Sequence, residues 1–157
     1  MNNKLAFSFG VVIMLMIINA MAYAQSAADD ICGRWVSDEK NLIVEVCRIN
    51  NEYQAKIIWF DAGSDKLMHE WVDKNNPDKA LQNRKILGMS VLRNLVYMPK
   101  SNSWEEGMIY DAKHGREWNA SAYIDKQGAL KLKGYWHFKF IGRTMTFART
   151  KDLAVLK

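Results

Sequence analysis

Downstream of Gly33 the chain runs as short segments in which apolar and polar residues alternate, broken by turn signals at the roughly 8–12-residue spacing of all-β folds. The first of these segments sets its own pairing. If Asp38 to Asn41 form a four-residue loop, Ser37 faces Leu42, Trp35 faces Val44, Gly33 faces Val46 and Cys32 falls opposite Cys47. That register also places Arg34 against Glu45, on the face opposite Trp35. An apolar face, an opposite-charge pair and two facing cysteines all agree on one register. In an oxidising compartment the facing thiols predict a Cys32–Cys47 disulfide.

The pattern continues. Asn50-Asn51 suits a two-residue turn because Asn tolerates positive φ, and it leads into Tyr53 to Phe60. Glu45 then faces Lys56 and Val44 faces Ile57, so Tyr53, Ala55, Ile57 and Trp59 share the face of Trp35. From Asp61 to Arg84 the alternation lapses into Asp, Lys, Asn and Pro77, which reads as the long loop of the domain with one short helical turn. Ile86 to Tyr97, with Gly88 inside it, reads as a bent strand or strand pair. Trp104 to Tyr110, Arg116 to Ile124, Ala129 to Phe140 and Arg143 to Arg149 follow as strands separated by short turns. Eight or nine strands without an amphipathic helix predict an all-β fold, a single antiparallel barrel or sandwich. Closure removes exposed edges, which favours an up-and-down barrel of about eight strands.

Residues 1–24 read as a cleaved secretory signal: Lys4, an apolar stretch densest from Val11 to Ile18, and the A-x-A site Ala22-Tyr23-Ala24. Asn19 interrupts the apolar stretch, so no stable membrane span is expected after cleavage. The expected product, 25–157, is one barrel domain, periplasmic or secreted. Its mild excess of Lys and Arg over Asp and Glu reads as interspersed with acids, without a basic run, and nucleic acid is not an expected partner.

Several local motifs in order resemble an uncharacterised bacterial secreted family, the domain of unknown function twenty-one forty-seven. They are Gly33-x-Trp35, Asn76-Pro77-Asp78, Arg84, Leu87-Gly88, Trp104-x-x-Gly107-x-Ile109-Tyr110-Asp111, Gly115, Gly134-Tyr135, Gly142-Arg143 and Arg149. Ala112 and Trp118 depart from the family pattern. Gly33-x-Trp35 with a late arginine also resembles the calycin superfamily of lipocalins and fatty-acid-binding proteins. The resemblance implies a calycin-like barrel in which Arg149 packs over Trp35 and closes one end. It implies no activity, ligand, cofactor or catalytic residue.

The candidate chemistry is sparse. His69, His114 and His137 lack metal-ligand spacing, and Asp73 to Asp78 lacks the Gly and the closing Glu of a calcium loop, so no metal is expected. No Gly-x-Ser-x-Gly is present. Asp111 with Glu117, assisted by Tyr110, could share acid–base work across one turn, although acids flanking a turn are ordinary. Trp118, Ala120, Ala122 and Ile124 alternate with polar residues and should face inward. The alanines leave room, which either Trp59, Trp136 or Met108 fills or a small apolar ligand occupies. A filled barrel would move recognition to the mouth, where Asn76, Asp78, Arg84, Tyr110 and Asp111 could gather. The functional expectations are a barrel binding a small, partly apolar or amphipathic molecule, a cell-envelope interaction protein with a filled barrel, and, with least support, an acid–base enzyme.

Overall fold

A computed structural model describes residues 27–64 and 66–151; the expected signal segment, 1–24, lies outside the described residues. Residues 27–29 are helical, and a separate compact unit begins at Ile31. That unit is a closed barrel of eight antiparallel strands in sequence order: β1 (Gly33–Ser37), β2 (Leu42–Ile49), β3 (Glu52–Phe60), β4 (Ser90–Met98), β5 (Ser103–Asp111), β6 (Arg116–Ile124), β7 (Leu130–Tyr135) and β8 (Gly142–Thr150). β8 pairs back onto β1, Trp35 opposite Arg149, so the sheet has no open edge. No described helix is long and apolar enough to cross a membrane.

The first hairpin has the register its sequence implies: Gly33↔Val46, Arg34↔Glu45, Trp35↔Val44. Arg34 and Lys56 both reach Glu45, each at 3.1 Å, and hold its carboxyl below the usual carboxylate range. Asn50, at φ 58°, makes the two-residue turn into β3.

The expected disulfide is not present in the structure. Cys32 and Cys47 are not joined, because the β1–β2 ladder ends at Gly33. Gly33 takes φ +123°, open to glycine alone at low cost, and turns Cys32 out of the sheet, where its carbonyl accepts from Arg149 Nη1 at 2.7 Å. Cys47 instead continues along β2, exposed and opposite Gln54.

Other boundaries also move. The strand expected over Ile86 to Tyr97 is β4, beginning only at Ser90. The strand expected over Ala129 to Phe140 ends at Tyr135, since His137 at φ 52° breaks the extended run and Ile141 N donates to Phe138 O at 3.0 Å in a turn. The long β3–β4 connection holds two 3₁₀ turns, Met68–Glu70 and Lys79–Leu81, and a bridge between Val72 and Lys85.

The ends of the barrel differ. The lower end, where β1 begins and β8 finishes, is packed: Trp35, Tyr53, Leu95 and Trp104 are buried, with Tyr53 and Trp104 edge to face at 6.3 Å between centroids. Trp35 Nε1 donates to Ile31 O at 2.8 Å, so its polar atom is satisfied inside. Arg149 lies 4.2 Å from the centre of the Trp35 ring, as the calycin resemblance implies. It does so from the exposed side, so the contact caps the end without being desolvated. At the upper end the β1–β2, β5–β6 and β7–β8 turns surround an opening.

Candidate functional site

The opening leads to a cavity of about 960 Å³. Its wall is apolar because the inward positions of β2, β3, β6 and β7 carry Val44, Val46, Ile57, Trp118 and Leu132. Its rim is polar: Asp38 and Glu39 from the β1–β2 loop, Asp111, Lys113 and His114 from the β5–β6 turn, and Arg143 at the start of β8. Asp111 is engaged within its own turn, accepting from Lys113 N at 3.0 Å and contacting His114 Nδ1 at 2.6 Å. The arrangement offers a largely apolar interior with charged groups at the entrance, compatible with a small ligand.

The expected interior residues divide along the barrel. Trp118 lines the cavity, and Trp136 meets it edge to face at 5.4 Å beside the mouth. Ala120 and Ala122 are buried and inward-facing as expected, but they lie below the cavity, because Trp104 pairs with Ala122 and occupies the room the alanines leave. The filler is therefore Trp104 with Tyr53. Trp59 is not on the cavity wall. A bulge places Ile57 opposite Val44 but Trp59 opposite Ile43, and a one-residue slip moves a side chain to the other face.

The polar residues expected at the mouth are also divided. Asn76, Arg84 and Tyr110 come together, around a residue the sequence did not single out. Asp73 is fully buried and accepts from Tyr110 Oη at 2.8 Å, from Asn76 Nδ2 at 2.7 Å and from Arg84 Nη2 at 2.7 Å. A buried carboxylate is tolerated when donors satisfy it, and here they do. Burial, followed by the hydrogen bond to Asp73, pushes the Tyr110 hydroxyl up to about 12. The cluster borders a cleft of about 230 Å³ that also includes Arg93 and Glu117. Asp78 touches the cluster only through its backbone, its N donating to Asn76 Oδ1 at 2.9 Å, while its side chain accepts from Ala80 N at 2.9 Å to cap the second 3₁₀ turn.

These contacts anchor the long connection to the barrel. Asn75 Nδ2 donates to Lys113 O at 2.8 Å, and Gly115, at φ 64°, approaches Asn75 so closely that an added Cβ would lie 1.9 Å from its carbonyl oxygen. Spacing alone does not single out Asp73, because two of its three partners lie on β5 and at the far end of the same loop.

The acid–base arrangement is not assembled. Pairing sets Tyr110 opposite Glu117 and Asp111 opposite Arg116, so Asp111 and Glu117 project from opposite faces. Glu117 is held by Arg93 in a bidentate pair at 2.7 and 2.9 Å, which keeps its carboxyl below the usual range.

A closed eight-stranded up-and-down barrel, capped at one end by a tryptophan–arginine contact and open at the other, is a lipocalin-like barrel. The chain belongs to the family described as "Uncharacterized protein conserved in bacteria (DUF2147)", whose model matches residues 33–149. Among solved structures it is similar to protein HP1028 from the human pathogen Helicobacter pylori, which is described as belonging to the lipocalin family. The two share 25% identity and a TM-score of 0.67, over 77% of this chain and 83% of that one. No curated protein matches the chain.

Proposed function

We propose that this protein binds an amphiphile, its apolar part in the upper cavity and its polar group at the rim. The observation that supports this reading is the cavity of about 960 Å³, apolar in its wall and charged only at its entrance. Magnitudes narrow the ligand. A micromolar complex requires about 8 kcal/mol net, and association costs at least about 4 kcal/mol. At ~0.8 kcal/mol per buried CH₂, the interior contacts must amount to roughly fifteen methylenes. An acyl chain or a molecule of similar apolar bulk meets that requirement; a metabolite of few carbons does not.

The test is a titration with 1-anilinonaphthalene-8-sulfonate, followed by displacement with fatty acids of increasing length. Affinity should rise with chain length and then level off, and Ile57→Trp, which narrows the cavity, should weaken binding of the longest chains about tenfold or more. Equal affinity in wild type and Ile57→Trp would sink the proposal.

We further propose that the barrel acts in the periplasm or outside the cell. The support is the signal-like pattern of residues 1–24. Mass measurement of the protein from fractionated cells should give a chain beginning at Gln25, and a cytoplasmic full-length chain would contradict it.

A further inference from the structure

The cavity ends abruptly part-way down the barrel, and two residues in the left-handed region build the place where it ends. Leu92 on β4 and Ile109 on β5 line it, whereas the next inward residues on the same strands, Leu95 and Gly107, do not. β6 steps in the same way, from Trp118 to Ala120. In a regular strand residues three apart lie on opposite faces, so Leu92 and Leu95 could not both point inward. Asn94, at φ 61°, supplies the extra residue: Ala55 stands opposite Leu92 and Tyr53 opposite Leu95, a bulge on β4. Glu106, at φ 64°, does the same on β5, where Trp104 pairs with Ala122 and Gly107 with Ala120. A residue other than glycine is held in this region at a cost, and such residues gather at functional sites. Together the bulges bring Leu95, which is fully buried, onto Gly107. A Cβ added at Gly107 would lie 2.6 Å from Leu95 Cδ2.

We propose that Leu95 is the stop on which the apolar tail of a bound amphiphile ends, and that it sets the longest chain the barrel accepts. This role rests on the amphiphile reading above and adds to it a limit on chain length. Leu95 can act as a stop because it cannot withdraw. Gly107 and Ala120 leave the room that its side chain fills, while Tyr53 beside it and Trp104 beneath it are each 1% exposed. An interior packed in this way does not yield to a tail that presses on it. Just above, the wall recedes: Ala55, opposite Leu92, borders the cavity with a methyl group alone, so a tail has space until it meets Leu95. Each methylene that enters above the stop leaves water and should tighten binding about fourfold. A methylene beyond that length finds no interior to enter and adds nothing.

The experiment is displacement of 1-anilinonaphthalene-8-sulfonate by saturated fatty acids, one carbon apart in length, from the protein beginning at Gln25. Wild type should show a break, the length at which affinity stops rising. Leu95→Ala should move the break to chains about three methylenes longer, the carbon that Leu loses to Ala, and should bind the longest of them about tenfold or more tighter than wild type. Ala55→Leu adds the same carbon just above the stop and should move the break about as far the other way. Chains too short to reach the stop should bind wild type and Leu95→Ala alike, which a general loosening of the fold would not produce. A break that stays at the wild-type length in folded Leu95→Ala would overturn the stop. Should that variant not fold, an unmoved break in Ala55→Leu would overturn it instead. Wild-type protein from which no chain displaces the dye would overturn the amphiphile reading and the stop together, whereas displacement with an unmoved break removes the stop alone.

Discussion

Two tryptophans on neighbouring strands separate the ends of this barrel. Trp104, near the start of β5, is 1% exposed, lies edge to face with Tyr53 and is paired with Ala122. Trp118, near the start of β6, is paired with Ile109 and faces a cavity whose opposite wall carries Val44 and Ile57. At the lower level Ala122 sits beside Trp104, and the rings of Tyr53 and Tyr97 lie against it, so the space closes. At the upper level the facing Val44 and Ile57 are aliphatic, and among the described residues the space between them and Trp118 is left open. A tryptophan-rich barrel can therefore be solid at one end and hollow at the other, according to which rings from other strands arrive at each level.

The comparison is broken most forcefully by truncating both rings. Trp104→Ala should cost about 3–5 kcal/mol, because a packed ring is replaced by a void. Trp118→Ala should cost distinctly less, because one side of that ring already meets the cavity. Its larger effect should be on dye affinity. Urea melts of the two variants check this, and equal losses would mean that the upper end is as tightly packed as the lower.

How far this division was legible in the sequence follows from the range of each interaction. The first hairpin was legible because facing residues lie within a few positions of a turn, and Arg34, Glu45, Val44 and Ile57 take the places that alternation assigns them. The barrel followed from strand count and turn spacing. Trp59 was misplaced because a single bulged residue reverses every inward assignment beyond it, and no residue in β3 announces the bulge. Cys32 was misplaced because the φ of Gly33, not the register, ends the ladder. Asp73 escaped because its partners Tyr110 and Arg84 lie 37 and 11 residues away. The division of the interior also stayed hidden: alternation shows that Ala120 and Ala122 point inward, but not which ring from another strand arrives at their level.

A smaller effect sharpens the lower end. Arg149→Ala removes the cation–π contact at 4.2 Å and the hydrogen bond to the Cys32 carbonyl at 2.7 Å. An exposed cation–π contact contributes ~0.5–1 kcal/mol and the hydrogen bond about 1 kcal/mol, so the loss should be roughly 1–2 kcal/mol. Dye affinity should hardly change, since neither Arg149 nor Trp35 borders the cavity. Loss of dye binding at an unchanged melting temperature would contradict the structural assignment of this end.

The last effect belongs to the anchor of the upper end. Tyr110 is neutral in the fold and its hydroxyl donates to Asp73, with its pKa raised to about 12 from an ordinary value near 10. Between those values the folded chain holds a proton that the unfolded chain has released. The stabilising contribution is thus complete below about pH 10 and is lost as pH rises towards about 12. Other groups titrate in that window, so the informative quantity is the difference between wild type and Tyr110→Phe. Wild type should lose stability more steeply than the variant across pH 10–12, with the two curves parallel below that range. Ligand affinity should fall only where the long connection loosens from the β5–β6 turn. Parallel curves throughout would mean that the Asp73 cluster, for all its burial, is held by Arg84 and Asn76 alone, and that Tyr110 joins the cavity rim to the long connection by packing and not by its proton.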